Sequence, residues 1–434
     1  MSCGGMRIGT QVVPGVSSCT HVFFKGFGRP QQRTREKGTR PPCSVVLGFG
    51  EDDVQEIEKI ESGGNSISGG NRIGDVRPQL DGLVKFKKFA VGYDRTAGSS
   101  FTGLIAPYLP AIKEVYFSWP GMISGRALRE DGSVDKEKEI LLSDLNWCRA
   151  NGVGLDLLFN ANCYGQDAYG ENLRNRVYEV LEELKQNGLF PEVVTTTSQY
   201  IAKVIKCKYP EIDIRASVNM RIESTKSMEF ISDIFDSFYI CRDIQRDLDI
   251  VKRFHEWSEA HGKKMCMLVN SACLRCCPVQ IWHDNFLCHE SWRGEEQEFI
   301  LHYPYRLCGR HFKGTDHLVD YLRMSWIRPE DVRHYEPYAY TLKLATRRTD
   351  HPELMLKAYC EGGYDGNLLD YLGINRQDVI LDNKSFPDDW VQSGIAQSCA
   401  LNCTECGKCD AVLKRILKTG KPETPVYTFN YSFA

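Results

Sequence analysis

The sequence predicts an α/β chain built as an eight-stranded β/α, TIM-like barrel with a cysteine-rich insertion and a small cysteine-rich C-terminal segment. Three observations predict it. From Phe89 onward, short apolar or β-branched runs alternate with longer amphipathic segments, the pattern of repeated β-α units and a parallel sheet. Polar residues stand just beyond many of the run ends, and about 70 residues separate the seventh run from the eighth, longer than an ordinary crossover.

The candidate strands are 89–93, 114–119, 155–160, 193–198, 214–219, 237–241, 265–270 and 340–345. Plausible helices fall between several of them, such as NLRNRVYEVLEELKQNG, which has apolar residues at helical spacing and closes on a glycine. A doubly wound open sheet shares this local pattern. Closure is favoured by Asn160, Asn162, Ser198, Asn219, Arg221, Arg242, Asp243, Asn270 and Arg347, which would gather at one mouth of a barrel, where barrel enzymes place their sites. Strand ends are polar in many folds, which is the bland account of the same residues. The expected organisation is a poorly ordered extension over 1–84, rich in Gly, Ser, Arg and Pro; a barrel over 85–350 with an insertion at 271–339; and a cysteine-rich C-terminal segment over 351–434.

The 434 residues are 42% hydrophobic and 26% charged, the balance of a chain able to bury a full core. A formal net charge of -3 gives no global positive field toward nucleic acid or anionic membrane. No run of 18 apolar residues and no signal-peptide core is present, so the expected location is cytoplasmic, without membrane attachment. The 18 cysteines, in a chain without a secretion signal, point to metal or redox chemistry before disulfides. Glycine-rich phosphate loops, G-x-S-x-G and H-E-x-x-H signatures are missing.

The strongest motif is SCALNCTECGKCD, with Cys399, Cys403, Cys406 and Cys409 at Cys-x3-Cys-x2-Cys-x2-Cys spacing. Thiolates are soft donors, and two-residue spacings turn several sulfurs onto one site. A 4Fe-4S cluster is the first expectation, zinc the second, and unliganded thiols the third. The first three cysteines also match the motif of radical enzymes that cleave S-adenosylmethionine, but the run lies at the far end of the chain and carries a fourth cysteine. Placed after the last strand, it reads as an auxiliary or electron-transfer cluster outside the barrel.

A second group follows the seventh strand in MLVNSACLRCCP and returns in YRLCGRHFKG. Cys273, Cys277 and Cys308 are the preferred ligands of a second cluster, with Cys276 and Cys288 competing for a fourth place; burial as small apolar residues is the alternative. His283, His289, His302 and His311 decorate the same insertion, and a lone histidine is more often a hydrogen-bonded surface residue than a ligand.

IRASVNMRI, FDSFYICRDIQRD, MLVNSACLRCCP and WIRPEDVRHYEPYAYTLKLATR, with the cysteine-rich tail, resemble the collagenase-like peptidase family, peptidase family U-32, over roughly residues 89–410. The resemblance implies a barrel and proteolysis by family name. It also implies a relation to members that bind a 4Fe-4S cluster through four cysteines and support oxygen-independent hydroxylation of ubiquinone precursors or RNA bases. Cys273, Cys277 and Cys308 would match three cluster positions, although the doubled Cys276-Cys277 departs from the family spacing. The expected function is therefore an iron-sulfur redox enzyme acting on a small molecule or RNA base, with Asn219, Arg221, Arg242, Asp243 and Arg347 orienting the substrate and an electron donor or paired subunit as partner. The alternatives are a metal- or thiol-dependent peptidase and a non-catalytic cluster-bearing subunit.

Overall fold

The computed structural model describes residues 88–94, 100–125, 134–289, 303–313, 316–346, 351–374, 376, 378–391, 399 and 401–418. The predicted extension, Arg347 and His302 lie outside them.

The eight strands close into a barrel in sequence order, every neighbouring pair parallel. They are β1 (Phe89–Gly92), β2 (Ile112–Ser118), β3 (Gly154–Phe159), β4 (Val193–Thr196), β5 (Asp213–Ala216), β6 (Ser237–Tyr239), β7 (Lys264–Leu268) and β8 (Thr341–Leu344). Closure follows from two-sided burial: one face of each strand packs on the helical layer, as Phe89, Val91, Leu155, Leu157, Ile214 and Met265 do, and the other fills the lumen. The crossovers include α1 (Phe101–Ile105), α2 (Val134–Ala150), α3 (Glu171–Gln186), α4 (Gln199–Lys208), α5 (Thr225–Ile231) and α6 (Leu248–Ala260). Helix α3 turns Leu173, Val177, Val180, Leu181 and Leu184 inward, the stripe read from its sequence.

The predicted strand ends overrun the observed ones because polar residues there serve the turns. Ser198 caps α4, its hydroxyl accepting from the Ile201 N–H. Asn219 sits in a 3-10 turn, Val218–Met220. The Asn270 amide clasps the end of β8, accepting from Ala345 N at 2.7 Å and donating to Ala345 O at 2.8 Å. Two of these supposed mouth residues, Ser198 and Asn270, thus hold backbone.

The lumen is charged. Arg215 on β5, fully buried, reaches Glu114 on β2 and Asp156 on β3, with Nη1 at 3.3 Å from Asp156 Oδ2 and Nε at 3.1 Å from Ser237 Oγ. Thr195 on β4 donates to Asp156 Oδ2 at 2.8 Å, and the Lys343 ammonium stands 3.8 Å from the centre of the Tyr116 ring. Burial raises the Asp156 carboxyl to about 6 against the pull of Arg215.

Asp331, 1% exposed beside Arg328, is also raised by burial to about 6. Because this is above its unfolded value near 3.9, the folded chain keeps the proton over a window where the unfolded chain has released it. Its contribution is therefore full at about pH 4 and lost as pH rises through about 6, an effect on the order of 2–3 kcal/mol. The difference in urea stability between wild type and Asp331→Asn, measured at pH 4.5 and 7, is expected to show that slope; a pH-independent difference would refute it.

Candidate metal centre and barrel mouth

The tail turns twice through left-handed backbone, at Leu401 (φ 58°) and Gly407 (φ 61°). A Cβ on Gly407 would meet nothing within 4 Å, so its dihedral, and not space, favours glycine. These turns frame the one-turn helix Cys403–Cys406 and the helix Lys408–Ile416. They bring Cys399, Cys403, Cys406 and Cys409 to the wall of one cavity of about 100 Å³.

Arg246, Arg275 and Arg323 line the same cavity. Arg246 follows β6, and Arg275 and Arg323 belong to the insertion after β7. The tail run lies outside the eight strands, yet its cavity is shared with segments that leave two adjacent strands.

The electrostatics of this cavity favour anions. Arg246 is 4% exposed and donates to the Leu322 and Met324 carbonyls, both at 2.8 Å. No carboxylate pairs with it among the described residues; burial and Arg275 pull its pKa down, while Cys409 and Cys399 oppose that. Burial raises the Cys399 thiol, but the Leu401 N–H and the guanidiniums of Arg275 and Arg246 outweigh it, and the thiol lies below its ordinary value. Cys409, more deeply set, is pushed up by burial against Arg246 and Arg323.

Spacing tests what the thiols fit. A tetrahedral zinc with bonds of about 2.3 Å needs its sulfurs about 3.8 Å apart. The groups of described residues whose ligand atoms lie mutually within 4.8 Å are His311–His317–Asp320 and Glu223–Cys241–Asp243, and no three of the tail thiols form such a set. Four soft donors spread around a cavity suit a polynuclear group better than a single ion.

At the mouth, Arg221 takes left-handed φ (53°) and donates to Asp243 Oδ2 at 2.8 Å and Glu223 Oε1 at 3.3 Å. Arg242 lies 3.4 Å from Asp284 and 3.8 Å from Cys273 Sγ. Arg275 joins mouth and tail: its Nε donates to the Asp243 carbonyl at 2.9 Å while its guanidinium lines the tail cavity and its charge lowers the Cys399 thiol. Cys276, at φ 55°, is raised by burial and by Asp243.

Of the second cysteine group, Cys273 sits beside Arg242, Cys276 and Cys308 are exposed, and Cys277 is half-buried. Cys308 is on the helix Tyr303–Lys313, and Cys288 is buried on α7 (Gln280–Cys288), its thiol donating to Asp284 O. No three of these thiols lie mutually within 4.8 Å. Sequence reasoning missed Arg246, Arg275 and Arg323. Arg275 was in view inside SACLRCCP, two residues from Cys273, but nothing local says that the tail returns to it.

Fold and site together define a β/α-barrel protein with a four-thiol, arginine-walled cavity against its mouth. No family model matches the chain. It is 24% identical over 316 residues to the uncharacterized protease MJ1657 of Methanocaldococcus jannaschii, covering 70% of this chain and 89% of that protein. Among solved structures, the U32 peptidase Mk0906 is 12% identical with a TM-score of 0.43, covering 62% of this chain and 95% of that one. The Ignisphaera aggregans GH53 catalytic domain is 9% identical with a TM-score of 0.30, covering 61% and 81%. These likenesses are to proteins named as a protease and a U32 peptidase, in keeping with the resemblance read from the sequence. No helix of the described residues is long and apolar enough to cross a membrane.

Proposed function

We propose that this chain is an iron-sulfur redox protein in which Cys399, Cys403, Cys406 and Cys409 hold a 4Fe-4S cluster and the adjacent mouth binds a small molecule or RNA base for oxygen-independent hydroxylation or a related modification. The observation that carries the reading is the pairing of four thiols with a buried guanidinium, Arg246, that has no carboxylate partner among the described residues. A buried cation requires a counter-charge, and deprotonated thiols around an anionic cluster provide one. When bound, the cluster supplies one-electron transfer.

The remaining roles belong to the chain's own groups. Arg221 and Arg242 orient a substrate carboxylate or phosphate by forked hydrogen bonds, Asp243 and Asn219 take its donors, and Arg275 fixes the cysteine loop against Asp243. Hydroxylation without O2 would take its oxygen atom from water or an oxygen-atom donor and pass two electrons from the substrate to an acceptor, a role for an electron-transfer partner or paired subunit. A cytoplasmic location suits the exposed thiols.

Anaerobic purification with iron, sulfide and electron paramagnetic resonance analysis, on wild type, Cys403→Ala and Cys277→Ala, tests the reading. Wild type and Cys277→Ala are expected to carry one cluster and Cys403→Ala to lose it. Zinc without sulfide would overturn the proposal.

The name of the Methanocaldococcus relative favours a second reading, a peptidase. A thiol nucleophile needs a lowered pKa; Cys399 meets that condition beside Arg275 and Arg246, whereas burial pushes Cys241 to about 12 and raises Cys276 at the mouth. Peptide cleavage persisting in metal-free protein would promote this reading nonetheless.

A further inference from the structure

The second donor set in the insertion was not legible as a set, since only His311 drew notice in the sequence and His317 and Asp320 did not. His311 closes the helix Tyr303–Lys313, while His317 and Asp320 belong to the 3-10 turn around Leu318–Tyr321. His311 Nε2 lies 2.7 Å from Asp320 Oδ2, and His317 Nδ1 lies 3.7 Å from the same oxygen. All three ligand atoms fall mutually within 4.8 Å. Around a zinc-class ion with bonds of about 2.0–2.2 Å, neighbouring donor atoms stand about 3.3 Å apart, and these two separations straddle that value.

The support is arranged as a ligand set requires. Arg323 Nη1 donates to the other carboxylate oxygen, Oδ1, at 2.8 Å, fixing Asp320 while leaving Oδ2 turned to both imidazoles. Hydrogen bonds of this kind orient metal-binding carboxylates. Asp320 is 12% exposed, but His311 and His317 are 36% and 47% exposed, so an ion bound there keeps solvent-facing positions.

We propose that His311, His317 and Asp320 bind a divalent cation of the zinc class through two imidazole nitrogens and one carboxylate oxygen, leaving coordination positions open to water or substrate. The donor set is distinct from the tail thiols, although Arg323, which fixes Asp320, also lines their cavity. Neutral imidazole and carboxylate are borderline donors suited to zinc, cobalt and nickel, unlike the soft thiolates nearby. The two imidazole rings stack with centres 4.0 Å apart. Imidazoles bound side by side on one ion have centres about 4.5–5 Å apart, so His317, the more exposed, swings outward on loading.

Cobalt(II) is the probe, added to the untagged full chain after anaerobic purification. Wild type and Cys403→Ala are expected to take up one equivalent whose visible spectrum lacks sulfur-to-cobalt charge-transfer absorption and which zinc displaces. His317→Ala, altered at an exposed side chain, is expected to fold normally by circular dichroism and to bind that equivalent about 100-fold more weakly or not at all. His317→Ala binding cobalt as wild type does, or wild-type cobalt showing only sulfur-ligated absorption, would overturn the proposal. Loss of the cluster in Cys403→Ala with cobalt binding intact would leave this site standing whatever the tail thiols do.

Discussion

Arg215→Met is expected to lower the unfolding free energy by about 3–5 kcal/mol, the usual loss when one partner of a buried ion pair is removed. Arg215 is the only cation that the described contacts place directly on both Glu114 and Asp156. Without it two buried carboxyls face each other across the lumen, and one must take a proton or draw in water. The loss is read as a drop in urea midpoint with soluble yield. It should shrink toward pH 5, where protonated Asp156 needs no counter-charge. Adding Glu114→Gln and Asp156→Leu to the same chain is expected to restore most of the stability, since apolar or neutral groups of similar volume replace buried ion pairs well. A single variant within about 1 kcal/mol of wild type would show that the network does not hold the barrel.

The second large effect turns on a sign. Arg246→Gln leaves an amide that can still donate toward the Leu322 and Met324 carbonyls but removes the charge. If the tail thiols stay protonated and bind nothing, this deletes an uncompensated buried cation and the chain becomes more stable. Under the proposed function the opposite is expected: the loaded protein melts at lower temperature than wild type. Its midpoint potential also falls, on the order of 100 mV for a unit charge acting over several ångströms through an effective dielectric of about 20. Potentiometry and thermal melts on loaded and chelator-stripped protein separate the two cases. Stabilisation in both would remove the main support for a cluster.

The barrel was legible because its signals are local. Eight runs of strand length, each followed by a turn signal, give eight strands whose starts agree with the structure to within about two residues; the ends overran where Ser198, Asn219 and Asn270 close turns or clasp backbone. The charged lumen was not anticipated: a charge interrupts each buried run in KEVYFS, LDLLF and DIRA, and only closure explains why Glu114, Asp156 and Arg215 meet. The tail motif was legible as four thiols that line one cavity but not in its placement. Periodicity and spacing describe neighbours along the chain, and Arg246 lies more than 150 residues from Cys399. The mouth residues Arg221, Arg242 and Asp243 do come close together, while Cys273, Cys276, Cys277 and Cys308 do not form one compact ligand set. His317 and Asp320 carried no spacing signal that surface histidines and aspartates lack.

The short ladder that follows the cysteine run has its own consequence. Strand β9 (Ile380–Leu381) pairs antiparallel with β10 (Leu417–Lys418), the Arg323 guanidinium holds Asp410 at 3.3 Å, and Ile416 is fully buried. The cysteine loop is thereby tethered on its C-terminal side before any metal arrives, and much of the entropy of closing it has already been lost in folding. Under the proposed function, loading would be capture by a preorganised cup and not chain collapse onto the metal, so amide exchange in 408–418 is expected to change little between stripped and loaded protein. The assembly machinery would meet a folded acceptor, accessible through the exposed Cys406, in place of a disordered tail.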